Sequence, residues 1–164
     1  DRSYRDCDIS IDFRRTQFAD FRIEPFIATE VFPVCSPAIA KNMAQPADHS
    51  KQTLLHEVSA MNDPDYPSWQ SWFSTLGVND KDVRKGPLFT LALMALQAAI
   101  DGQGVALGQA LLVEYDIAAG RLVRPFNVET PLRLDYYLIY AADMKENAAF
   151  QAFHQWLISE AQSR

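Results

Sequence analysis

The stretch from Gly86 to Gly108, GPLFTLALMALQAAIDGQGVALG, decides the fold class. Pro87-Leu88-Phe89 reads as a strand end, with Thr90 as a helix N-cap. An uncharged helix follows, broken at Gly102, and then a short buried strand, Val105-Ala106-Leu107. A neutral helix that starts from a strand turns its unpaired N–H groups and positive dipole end toward the crevice there, which suits an anionic small molecule.

The same alternation continues outward. Cys7, Ile9, Ile11 and Phe13 alternate with Asp8, Ser10 and Asp12, the pattern of a half-buried strand with the apolar set facing in. Residues 14–25 are polar and irregular, and a second strand runs from Phe26 to Cys35, ended by Ser36-Pro37. A short helix is expected at Ala38–Asn42, a brief strand at Thr53–His56 and a loop at Asn62–Pro67. Trp69, Trp72, Phe73 and Leu76 fall at helical spacing before Gly77. A helix over Leu111–Ala119 stops at Gly120, and Leu122–Phe126 and Asp135–Ala141 read as strands. The last helix carries Ala149, Phe153, Trp156 and Leu157 as its buried stripe. Alternating strands and helices predict an α/β architecture with a largely parallel sheet.

Composition narrows the function classes. The 164 residues are 48% hydrophobic and 12% aromatic, enough for a packed core. A formal net charge of −6, with Lys and Arg scattered, argues against a direct grip on nucleic acid. The longest apolar run, Leu91–Ile100, is too short to span a membrane. Cys7 and Cys35 read as reduced thiols of a cytoplasmic protein; a redox pair has no local support. The N-terminus shows no signal-peptide pattern and reads as the interior of a longer chain.

Chemistry-bearing patterns are few. His49, His56 and His154 lack metal-ligand spacing, so no metal site and no cofactor are expected. Gly102-Gln103-Gly104 follows a helix and precedes a strand, the reverse of a dinucleotide loop, and Gly108 falls one position off the third glycine's spacing. There is no nucleophile elbow or phosphate-binding loop, and no carboxylate pair suggests acid/base work, so an enzyme is not expected. The remaining candidates are binding residues. Thr90 is a plain cap or a cap that also touches ligand. His56 ends a strand and is structural or crevice-facing. Arg14 follows a strand end and is either a solvated loop residue or a carboxylate clamp. The tryptophan cluster is core rather than an aromatic platform.

With those residues placed, the chain resembles the effector-binding domain of LysR-type transcriptional regulators, of the glycine-cleavage-activator-like branch. The phrases that carry the resemblance run the length of the chain. They are Cys7-Asp8-Ile9-Ser10-Ile11-Asp12-Phe13-Arg14, Phe32-Pro33-Val34-Cys35-Ser36-Pro37, and Pro46-Ala47-Asp48 leading to Thr53-Leu54-Leu55-His56. Trp69-Gln70-Ser71-Trp72-Phe73, Leu96 through Gly108, Ala118 through Phe126 and Phe153-His154-Gln155-Trp156-Leu157 complete the series.

The resemblance implies a type 2 periplasmic-binding-protein-like fold: two lobes with mainly parallel sheets, the first lobe incomplete. Residues 1–36 would be partial lobe I strands, 37–125 lobe II, and 126–164 a return to lobe I with the C-terminal helix. A small anionic metabolite would sit between the lobes. Pro87, Phe89 and Thr90 at the helix start, Gly108 and Gln109 at the next strand end, His56, and Arg14 from lobe I would line it. The front of lobe I and the N-terminal helix-turn-helix of relatives have no counterpart here. DNA would therefore be contacted only through that absent part, by a homo-oligomer, dimer or tetramer, of the full-length protein, with no role for a membrane. The alternative with the same architecture is a solute-binding protein of a transport system.

Overall fold

The structure, a computed structural model, describes residues 7–14, 20–45, 48, 51–58, 63, 65–77, 83–126 and 131–162. The N-terminal residues 1–6, Pro46-Ala47, His49, Asn62, Pro64 and residues 127–130 of the return segment lie outside them. The chain divides into two compact units, Asp1–Ala28 with Asp135–Arg164, and Thr29–Leu134.

In the first unit, β1 (Ser10–Asp12) pairs antiparallel with β6 (Leu132–Ala141), and β6 neighbours β2 (Phe21–Val34). A 3-10 turn over Ala142–Glu146 leads into the C-terminal helix, Ala148–Gln162. The Asn147 side chain accepts the N–H groups of Ala149 and Phe150 at 2.9 and 3.2 Å, capping that helix.

Two expectations are corrected in this unit. Ile11 is 51% exposed and Asp12 is buried, so the expected alternation is reversed at these two positions, while Ile9 keeps its packing against Leu138, Tyr140 and Phe150. Burial of Asp12 is tolerated because Arg14 neutralises it, through Nε at 3.2 Å and Nη2 at 2.9 Å, and the Arg14 N–H adds a bond at 3.0 Å. The C-terminal helix buries Phe150, with Leu157 and Ile158 packed on the same cluster, whereas Ala149, Phe153 and Trp156 are exposed. The 3.6-residue repeat admits either stripe, and His154, whose Nε2 lies 3.0 Å from Glu24 Oε2, fixes which one faces in.

The second unit holds the parallel part of the fold. Strand β3 (Leu54–Glu57) runs parallel to both β4 (Leu88–Phe89) and β5 (Val105–Gln109). Helical crossovers lie between consecutive strands: α2 (Trp69–Thr75) between β3 and β4, and α3 (Ala92–Ile100) between β4 and β5. Such crossovers return the chain to the same edge and make neighbours parallel. The long strand β2 enters without one and lies antiparallel to β5, pairing Phe32 with Gly108. The sheet is therefore mixed. Two helices complete the unit, the short α1 (Pro37–Ala40) and α4 (Ala110–Ala118), which follows β5 directly.

The core of this unit has two faces. Trp69, Trp72 and Phe73 pack with Cys35, Leu54 and Val105 on one. Phe32, Val34, Leu55, Leu96, Ala99, Val113 and Leu122 pack on the other. The tryptophan cluster is thus core, and the indole N–H of Trp69 donates to the Leu55 carbonyl at 3.0 Å. The expected strand at Leu122–Phe126 reduces to one bridge, Val123 to Cys35. Burial pushes the Cys35 thiol up to about 11.

Candidate functional site

The carboxyl ends of β3, β4 and β5 reach the same edge of the second unit, at Glu57, Phe89 and Gln109. Ligand sites of open α/β sheets lie at that edge, where loops and helix starts converge. Here a pocket of about 610 Å³ opens among them, and its described lining residues all belong to the second unit. Its apolar wall comes from Val31, Leu55, Ala95, Leu96, Leu107 and Leu112. Its polar side is His56 and Glu57 from β3, Asp63 and Tyr66 from the following loop, Gln70 from α2, and Arg84.

Several of these side chains are held in place. His56 Nε2 lies 3.1 Å from the Lys85 carbonyl. A carbonyl only accepts, so Nε2 carries a proton and donates it there. The segment that supplies this carbonyl is drawn close by Gly86, whose φ is 140°. A Cβ there would fall 2.0 Å from the Leu54 carbonyl oxygen, so only glycine fits. Arg84 Nη2 donates to Gln70 Oε1 at 3.4 Å, and Asp63 Oδ1 accepts the Asp65 N–H at 3.0 Å.

The serines at the rim serve the backbone instead. Ser68 caps α2 and accepts the Ser71 N–H at 3.2 Å, while the Ser71 hydroxyl donates to the Ser68 carbonyl at 2.8 Å. The Ser74 hydroxyl donates to the Gln70 carbonyl at 2.8 Å.

The seven residues singled out in the sequence separate into distinct environments. His56 and the buried Gln109 line the pocket. Phe89 is half-buried and packs against the core cluster of Leu55 and Leu96. Pro87 is exposed, and its carbonyl accepts the His56 N–H at 3.0 Å. Gly108 is a packing contact: a Cβ there would meet Val113 Cγ1 at 2.8 Å and Val34 Cγ2 at 2.9 Å.

Thr90 is corrected as a cap. The N-cap of α3 is Leu91, with no side-chain bond, and Thr90 is exposed outside the pocket lining. The chain stays extended one residue past Thr90, which carries the hydroxyl out of reach of the first-turn N–H groups. Ala92, in that uncapped first turn, does line the pocket. Arg14 belongs to the first unit, is bound to Asp12, and has its guanidinium 5.6 Å from the Phe13 ring centre.

Glu57, Asp63 and Arg84 were not singled out in the sequence. Glu57 adjoins His56 at a strand end, a signal that was present. Asp63 and Arg84 come from loops, where no periodicity announces which side chain faces a pocket. Among the described residues, no group of three or more His, Cys, Asp or Glu side chains could hold a metal ion. No described helix is long and apolar enough to cross a membrane.

The chain is 37% identical over 164 residues to the glycine cleavage system transcriptional activator of Escherichia coli strain K12, covering 98% of this chain and 52% of that protein. A homolog of that activator in Haemophilus influenzae is 31% identical over 94% of this chain and 50% of its own length. The chain thus spans about half the length of the curated relatives it matches. The effector domain of the regulator AmpR of Pseudomonas aeruginosa superposes with a TM-score of 0.80 at 26% identity, over 99% of this chain and 76% of that one. The fold is the periplasmic-binding-protein-like type 2 fold of such effector domains, and the family is regulatory, not enzymatic. Residues 3–162 match the family model described as LysR substrate binding domain, and it is to this family that the chain belongs.

Proposed function

We propose that this chain is the effector-sensing part of a cytoplasmic LysR-type transcription regulator, and that its effector, a small metabolite bearing a carboxylate, binds the second-unit pocket. The observation that carries the reading is the pocket's position at the carboxyl ends of three parallel strands. Arg84 and the uncapped first turn of α3 at Ala92 supply the attraction for an anionic group. The apolar wall takes the rest of the molecule. The similarity to named transcriptional activators supports a regulatory output.

The mechanism is a population shift. An effector that binds one arrangement of the domain more tightly favours it, and the regulator's DNA-bound oligomer responds to that choice. DNA contacts in this reading belong to a helix-turn-helix outside residues 1–164, and the working form is a homo-oligomer. No covalent step is involved.

Thermal unfolding against a panel of carboxylate metabolites tests the reading, because a ligand specific for the native state raises the midpoint by mass action. A concentration-dependent rise that disappears when Ala95→Phe fills the pocket is expected. A rise of the same size in that variant, shown to be folded by its circular dichroism, overturns the placement.

A further inference from the structure

We propose that the outer face of the C-terminal helix, Ala148–Gln162, is a contact surface for a second copy of this chain, packed antiparallel about a twofold axis. This stands on the helix alone and does not depend on the pocket being the effector site. The helix carries two apolar stripes. One, with Phe150, Leu157 and Ile158, packs into the first-unit core. The other, Ala149, Ala152, Phe153 and Trp156, has the i, i+3, i+4, i+7 spacing of a single face and is exposed, Phe153 at 45% and Trp156 at 53%. The two rings lie 5.6 Å apart, centre to centre, so they form one patch rather than scattered side chains. A helix face turned to water ordinarily carries charge, yet no Asp, Glu, Lys or Arg occurs from Ala148 to Ser159.

The order of sizes along this stripe selects the occupant. Two small residues precede two large ones. A twofold axis midway between Ala152 and Phe153 sets Ala152 of one copy opposite Phe153 of the other, and Ala149 opposite Trp156. Each ring then faces a methyl group, the large-against-small order that lets facing positions interdigitate. An unrelated apolar partner would place no such symmetry on the sequence. Charge points the same way: the chain carries a formal net −6, and two copies meet along this stretch without bringing like charges together. One helix face per copy is small against the roughly 1,200–2,000 Å² of stable interfaces, so the free chain pairs weakly.

Sedimentation equilibrium of the chain between about 10 μM and 1 mM tests the proposal. A monomer–dimer equilibrium is expected in that range. A concentration-dependent blue shift of tryptophan emission should accompany it, because Trp156 is exposed while Trp69 and Trp72 are buried. Ala149→Trp sets two indoles against each other and is expected to weaken pairing at least about tenfold. Combining it with Trp156→Ala exchanges large and small across the axis and is expected to bring pairing back to within about threefold of the wild type. Both positions are exposed, and circular dichroism checks that the variants are folded. A chain that stays monomeric throughout overturns the proposal and leaves the face to another part of a longer protein or to a different partner. A dimer as tight in Ala149→Trp as in the wild type overturns it by placing the interface elsewhere. A double variant no tighter than Ala149→Trp alone overturns the twofold antiparallel packing.

Discussion

The Tyr140 hydroxyl donates to Glu24 Oε2 at 2.8 Å and ties neighbouring strands of the first unit together. Burial, then the hydrogen bond and the charge of Glu24, push the Tyr140 phenol up to about 12 from its usual 10.0. Below about pH 10 the phenol is protonated whether the chain is folded or not. Between about 10 and about 12 only the unfolded chain releases the proton, so native stability falls as pH rises through that window. Chemical unfolding at stepped alkaline pH should show this decline in the wild type and a shallower one in Tyr140→Phe. At neutral pH the same variant should lose about 1.5–3 kcal/mol, the usual worth of a hydrogen bond to a charged group.

Gly108 lets Val34 and Val113 approach its backbone closely. Gly108→Ala should destabilise the second unit by about 1–3 kcal/mol, because the new methyl lands against Val34 and Val113. Val113→Ala in the same chain should recover part of that loss, which denaturant unfolding of the two variants would register. A Gly108→Ala chain of unchanged stability would remove the packing argument.

Helix α4 borrows its cap from a distant strand: the Leu111 N–H donates to Thr29 Oγ1 at 3.4 Å. Thr29→Val keeps the shape and deletes the acceptor. A loss of about 0.5–1 kcal/mol is expected, at the lower end for caps because the bond is long. Faster amide hydrogen exchange at the start of α4 should accompany it.

The Cys35 thiol is fully buried and held near 11, so little thiolate exists at neutral pH. Titration with a thiol-reactive disulfide should modify Cys35 only after unfolding, while the exposed Cys7 reacts in the native state. Rapid modification of both in the native state would contradict the packing around Cys35.

Where side-chain pattern and backbone need coincide, the sequence was readable. The neutral run before Gly102 forms α3, and Gly102, with φ of 75°, follows that helix's C-cap, Asp101. Trp72 and Phe73 are buried as their helical spacing requires. Failures came where a partner distant in sequence, or a short side-chain bond, overrode the pattern. Arg14 allows Asp12 inward and leaves Ile11 exposed, breaking the alternation that Ile9 still follows. Glu24 anchors His154 and so selects the Phe150 stripe. In the pocket, His56 and Gln109 follow from strand ends, whereas Asp63 and Arg84 are brought in by loops whose course no local pattern records.

The central claim is that the effector occupies the second-unit pocket at the strand ends. Amide chemical-shift mapping of the isotope-labelled chain during titration with a carboxylate metabolite that raises its thermal midpoint tests it most directly. Saturable shifts centred on His56, Glu57, Arg84 and Gln109, with Thr90 and Arg14 little changed, are the predicted result. Saturable shifts centred on Arg14 or Thr90, with the pocket residues silent, would contradict it.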